Sequence, residues 1–163
     1  MKNLFCLFFS LFIVLTIQAQ EKKRDLYHPE ADAKADIEAL VKQADQEDKH
    51  VILQIGGNWC GWCYLFHDFV KDNEELSSIV NENFLVYHLN YSKENKNTEL
   101  LAKYQFPQRF GFPVLLILNQ KGELIHTQNS ALLEEGKGYN LKKVKEFFTA
   151  WTTSAIDPAT YNK

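Results

Sequence analysis

The sequence predicts an α/β domain: a mixed central sheet with helices on both faces. Three observations predict it. Two short β-rich runs, "HVILQIGG" at 50–57 and "FLVYHLNY" at 84–91, are separated by helical patterns, which implies a parallel pair joined by a crossover. "PVLLILNQKGELIHT" at 113–127 reads as two strands joined by a turn at Lys121-Gly122, which adds antiparallel strands. Apolar residues at helical spacing flank these strands at both ends of the chain.

The elements follow in order. In "ADIEALVKQADQEDK", Ile37, Leu40, Val41 and Ala44 fall at the spacing of a half-buried helix. The strand at 50–57 ends in Gly56-Gly57. From Cys60 to Asp72 the pattern is helical, with Cys63, Phe66 and Val70 on one face, and Glu74 to Asn81 reads as a second helical piece. After the strand at 84–91, "TELLAKYQF" is a short helix stopped by Pro107. The hairpin follows. Leu141, Val144, Phe147, Phe148 and Trp151 mark a closing amphipathic helix. Glu21 to Pro29 is polar and expected to be a loose lead-in, and the last dozen residues read as a tail.

With 163 residues, 45% hydrophobic and 24% charged, the chain has the length and composition of one globular domain with a real core. The formal charge of −3 gives no basic face for nucleic acid. At the N-terminus, Lys2, the apolar run "LFCLFFSLFIVLTI" and the small residue Ala19 read as a secretory signal peptide. The run is shorter than the roughly 20 residues of a comfortable membrane span. Membrane association is therefore expected only if this leader stays uncleaved. Cleavage would remove Cys6 and leave Cys60 and Cys63, which in an exported protein can form one internal disulfide.

That pair, in "NWCGWC", can be read in three ways. As a staple it is weak, because closing so short a loop removes only about 2 kcal/mol of chain entropy. As a structural zinc site it lacks a second cysteine pair; His67, one turn beyond Cys63, is the nearest third ligand, and His28, His50, His88 and His126 are scattered. No metal is assigned. The redox reading fits the surroundings. The pair follows a buried strand and opens a helix, so Cys60 is expected at the helix N-terminus, where free amides and the dipole favour a thiolate. Cys63, one turn inside, is expected to be the resolving thiol.

"WCGWC" after a strand, together with "FGFPVLLILNQKGEL" in the second half, resembles the thioredoxin superfamily. The stretch from Asp36 to Trp151 is similar in particular to exported bacterial thioredoxin-like proteins, related to the extracytoplasmic thioredoxin-like domains of thiol:disulfide reductases. The resemblance implies the thioredoxin fold over 36–151; the signal peptide at 1–19, a lead-in at 20–35 and a tail at 152–163 are read from the residues themselves. It implies a cis peptide before Pro113 and a loop facing the cysteines, whose backbone binds an extended client with Phe112 and Val114 flanking it. It implies no dissociable cofactor, since electrons pass through the redox-active disulfide Cys60–Cys63.

Trp59 matches the family's tryptophan before the first cysteine. Between the cysteines, Gly61 is followed by Trp62 in place of the family's proline, and no histidine stands there to stabilise the Cys60 thiolate. The family's buried acid falls at Gln54, and its lysine on the neighbouring strand at His88. His88 is read as a hydrogen-bonded core histidine, with a proton relay as the alternative. Trp59, Trp62, Tyr64 and Phe112 are read as an apolar rim for clients, with packing in the core as the alternative. The function expected is an exported thiol-disulfide oxidoreductase, leaning towards reductase, with protein or peptide clients and an external redox partner. The alternative is a client-binding or chaperone-like module with secondary redox activity.

Overall fold

The computed structural model describes residues 25–162; the leader at 1–19 and the first part of the lead-in lie outside the described residues. Helix α1, Ala33–Glu47, begins at Asp32, whose carboxylate accepts from the Ala35 amide at 3.1 Å. It lays Ile37 and Ala44 on the sheet and ends at Asp48 in a left-handed conformation. Strand β1, His50–Gly56, follows and is buried along its whole length, as a central strand must be.

Next come α2, Gly61–Asp72, and α3, Glu74–Asn83, with Asn73 capping α3 through the Leu76 amide. Strand β2, Phe84–Asn90, returns parallel to β1. A short α4, Thr98–Lys103, and a 3-10 turn at Pro107–Phe110 lead to β3, Val114–Leu118, and β4, Leu124–Asn129. Between these two strands Gly122 takes a positive φ of 74° that closes the turn. The sheet order is β2-β1-β3-β4, with β3 antiparallel to both neighbours. A two-residue pair, β5 at Glu134–Glu135 with β6 at Gly138–Tyr139, precedes α5, Leu141–Ala150.

The period of two along β1 divides the core. Val51, Leu53 and Ile55 face α1 and α4, with Leu89, Leu101 and Tyr104. Ile52 faces α2, α3 and α5, with Phe66, Leu76, Val144 and Phe148. Gln54 and Gly56 continue the row begun by Ile52, so the end of β1 delivers them beneath α2.

Two expectations need correction. The lead-in is not loose where it is described: Tyr27 is fully buried and packs with both cysteines. No periodicity announced this, because a single aromatic residue in a polar stretch is buried by distant partners. The tail is not formless either. Thr152 is buried and caps a short α6, Thr153–Ile156, by accepting from the Ala155 amide at 3.1 Å. Among the described residues no helix is long and apolar enough to cross a membrane.

Candidate active site

Cys60 and Cys63 form a disulfide with a Cα–Cα separation of 5.3 Å. Cys60 is the N-cap of α2, and its Sγ accepts from the Cys63 amide at 3.2 Å. The helix end therefore aims the Cys63 amide and its positive dipole at the outer sulfur, which lowers the energy of a thiolate there. Cys63, in the first turn, has no exposed surface, and Cys60 keeps only a trace.

Around the outer sulfur the surface is aromatic. Trp59 is 58% exposed, and its indole N–H donates to the Tyr91 carbonyl at 2.8 Å. Its ring meets Phe112 edge-on at 5.3 Å, and Phe112 stacks on Tyr91 at 5.0 Å. Phe112 also packs against the cysteine cluster, and the Phe112–Pro113 peptide bond is cis. The second motif thus lies beside the first. Trp62 is exposed at its outer edge and touches the Tyr139 ring at 5.6 Å, while the Tyr139 hydroxyl donates to the Trp62 carbonyl. Gly61 is exposed, and a Cβ there would meet nothing within 4 Å.

Two expected rim or client residues point elsewhere. Tyr64 is buried, and its hydroxyl donates to Asn58 at 2.7 Å, because the turn of α2 carries it inward under the loop. Val114 is fully buried in the core of the sheet, so its side chain cannot flank a client.

The inner sulfur has different neighbours. Gln54 is buried, and its Nε2 donates to the Tyr27 hydroxyl at 2.9 Å and to the Cys63 carbonyl at 3.0 Å. Gly56 is required here: a Cβ would stand 2.4 Å from the Cys63 Sγ and 2.8 Å from the Tyr27 hydroxyl. Burial holds the Tyr27 phenol protonated, well above its ordinary range, against a smaller opposing effect from Gln54.

His88, opposite Gln54 in the β1–β2 register, meets Tyr27 edge-on at 5.6 Å and His67 at 5.2 Å. The hydrogen bond expected of it is not made at Nε2, which is buried with no partner among the described residues. Burial, followed by the nearby His67 and His28, depresses its pKa to about 4. A cleft of about 400 Å³ runs beside it, lined by Gln54, Phe66, His67, Val70 and Val86 among others. Among the described residues no three His, Cys, Asp or Glu side chains are grouped to hold a metal.

Sequence reasoning missed Tyr27 and Asn58. Asn58 ties the lead-in to the cysteine loop. Its Oδ1 accepts from the Leu26 and Tyr27 amides, and its Nδ2 donates to the Tyr27 carbonyl at 2.7 Å and to Asp25 at 2.9 Å. Its place two residues before Cys60 was the one signal available.

Comparison with known proteins agrees with this geometry. The family model described as a thioredoxin-like domain matches residues 37–135. The chain belongs to the thioredoxin-like domain family. The resemblance drawn from the two motifs is borne out. Among solved structures, a disulphide isomerase from Xylella fastidiosa Temecula1 superposes with a TM-score of 0.66 at 23% identity, over 76% of this chain and 93% of that one. The oxidised C-terminal domain of DsbD from Neisseria meningitidis gives 0.53 at 20% identity, over 73% and 95%. A DsbH oxidoreductase gives 0.52 at 20% identity, over 82% and 90%. At these identities the likeness establishes the thioredoxin fold. A curated relative, the ribosome maturation factor RimP of Prochlorococcus marinus (strain AS9601), is 34% identical over 83 residues, 51% of this chain. The match spans about half of that relative, 52% of its length. A thioredoxin-like domain with a close-spaced, disulfide-bonded cysteine pair carries the machinery of thiol–disulfide redox chemistry.

Proposed function

We propose that this chain is an exported protein disulfide reductase working through Cys60 and Cys63. The observation that carries the reading is the asymmetry of the pair: Cys60 caps α2 beneath exposed tryptophans, and Cys63 lies one turn inside with no exposed surface. Cys60, as thiolate, attacks a client disulfide and forms a mixed disulfide. Cys63 then attacks the Cys60 sulfur, releases the reduced client and leaves the internal disulfide. An external dithiol partner reduces the pair again. Phe112 and the backbone at Pro113 receive an extended segment of the client, and Trp59 and Trp62 give it an apolar surface.

Export is supported by the apolar leader at 1–19, whose removal takes Cys6 and leaves the working pair. The thioredoxin-like domain then occupies 36–151. The reducing direction is supported by the absence of a histidine between the cysteines, since a strong oxidant owes its character to an unusually stable thiolate. A ribosome-directed role draws no support from charge, with 18 basic against 21 acidic residues.

Two measurements test the reading. Cys63→Ser should accumulate mixed disulfides with envelope proteins on diagonal gels, and Cys60→Ser should abolish both trapping and turnover. Equal trapping by both variants would refute the division of labour. The reduction potential of the couple should lie nearer the value of about −270 mV for thioredoxin than the value of about −120 mV for a strong oxidant. A potential near the latter would make the protein an oxidase. If Cys60→Ser retained all client-related activity, the protein would be a client-binding module instead.

A further inference from the structure

The resolving sulfur has to carry negative charge in a place water does not reach. Cys63 has no exposed surface, and an isolated thiolate there is costly. The helix N-terminus serves the Cys60 sulfur, which already receives the Cys63 amide. Some other group must answer the charge on Cys63.

The buried side chain packed with both cysteines is Tyr27, delivered by the lead-in. Its hydroxyl oxygen accepts from Gln54 Nε2, so its proton is free to point elsewhere, and it has no acceptor among the described residues. Gly56 separates hydroxyl and sulfur with a hydrogen where any other residue would interpose a Cβ. Gln54 also holds the Cys63 carbonyl, so one amide fixes both partners relative to each other.

The ionisable groups around this pair come from each element packed on it. They are His88 on β2, Tyr64 on α2, Tyr139 on β6 and Cys60 itself. His88 is neutral at physiological pH and brings no positive charge, and burial keeps Tyr139 protonated.

We propose that the Tyr27 hydroxyl, oriented by Gln54, donates a hydrogen bond to the Cys63 sulfur whenever that sulfur is anionic, and thereby sets the rate of the resolving step. This rests on the redox reading above. In that step a bond forms between the Cys63 and Cys60 sulfurs, and the bond from Cys60 to the client sulfur breaks. The electron pair leaves on the client sulfur, which ends protonated by the proton that Cys63 gave up. The pair is oxidised by two electrons and the client is reduced by two. Tyr27 neither gains nor loses a proton. When the external partner reduces the disulfide through Cys60, Cys63 is the leaving thiolate and receives the same hydrogen bond.

The test uses reduced protein and 5,5′-dithiobis(2-nitrobenzoate) in stopped flow. Attack by Cys60 releases a first nitrothiobenzoate, and resolution by Cys63 releases a second. Tyr27→Phe keeps the ring and removes the hydroxyl. It should leave the first phase within about two-fold and slow the second about ten-fold, the scale of one hydrogen bond to a charged atom. The pH midpoint of the second phase should move upward. Gln54→Leu, which keeps Tyr27 but frees it, should shift the second phase in the same direction by less, and it serves if Tyr27→Phe does not fold. An unchanged second phase in the folded variants overturns the proposal. So does equal slowing of both phases with an unmoved pH profile, which marks a packing role only. Failure of wild type to release either nitrothiobenzoate would instead refute the redox reading itself.

Discussion

Cys60 and Cys63 are bonded to each other, yet the two sides of their disulfide are built differently. The outer side is local: Trp59, Cys60, Gly61 and Trp62 are consecutive, and Phe112 from the second motif completes it. It is partly open, and Gly61 has free space around it. The inner side is assembled from Tyr27 of the lead-in, Gln54 and Gly56 of β1, and Cys63 of the cysteine helix. It is closed to water. The difference teaches a division of tasks. Under the proposed function the outer side admits variable partners and tolerates looseness, whereas the inner side stabilises a single atom and has no slack.

The two glycines give the sharpest way to break that comparison. Gly56→Ala places a Cβ 2.4 Å from the Cys63 sulfur and 2.8 Å from the Tyr27 hydroxyl, so something must move. The sulfur is held by its disulfide and the tyrosine by Gln54. The expected cost is about 3 kcal/mol, the upper part of the usual range for overpacking, read as a lower urea midpoint. Gly61→Ala, only a few residues away, should stay within about 0.5 kcal/mol of wild type. Similar midpoints for the two variants would mean that the inner side yields as easily as the outer.

This contrast also explains what the sequence disclosed. The four-strand sheet, the flanking helices and the cysteine loop were legible, because each rests on local periodicity or on adjacent residues: the helix over Cys60 to Asp72 and the hairpin turn at Gly122 are examples. Tyr27 was not legible. Its burial depends on Asn58 and Gln54, 31 and 27 residues away, and nothing in "RDLYHPE" marks it as core. Val114 misled for a related reason. A residue after the motif proline was assigned to the client, but strand alternation turns its side chain into the sheet core. The short β5–β6 pair, which brings Tyr139 to Trp62, carried no strand pattern long enough to read.

Asn58 is the joint between the two sides, and its removal should have the next largest effect. Asn58→Ala strips the Tyr27 amide and the Tyr64 hydroxyl of their acceptor and the Tyr27 carbonyl of a donor, and leaves the Leu26 amide only the Tyr64 hydroxyl at 3.5 Å. Several of these groups are partly buried, so the loss should be about 2 kcal/mol rather than the sum of the bonds, because water reaches some of them. Hydrogen exchange should locate the damage. The Leu26 and Tyr27 amides should exchange faster while β1 stays protected. Uniform loss of protection across the domain would mean that the lead-in is part of the core rather than a separate strap across the site.

The smallest expected effect is a pH dependence that belongs to the inner side alone. His88 has its pKa lowered to about 4 in the folded protein, by burial first and by His67 and His28 next. In the unfolded chain a histidine titrates near about 6.5. Between these values the unfolded state binds more protons than the folded one, so folding stability rises with pH across the window. The stabilising difference is therefore complete above about pH 6.5 and is lost progressively as the pH falls towards 4. Below that, both states carry the proton and the loss stops growing. Since the side chain is not wholly buried, the change should be about 1–2 kcal/mol rather than the full value of the shift. Urea midpoints measured from pH 7 to pH 4 on wild type and His88→Leu would show it, with the variant losing less stability than wild type over this range. Parallel curves would mean that His88 admits its proton without penalty, and that the closed character of the inner side does not extend to β2.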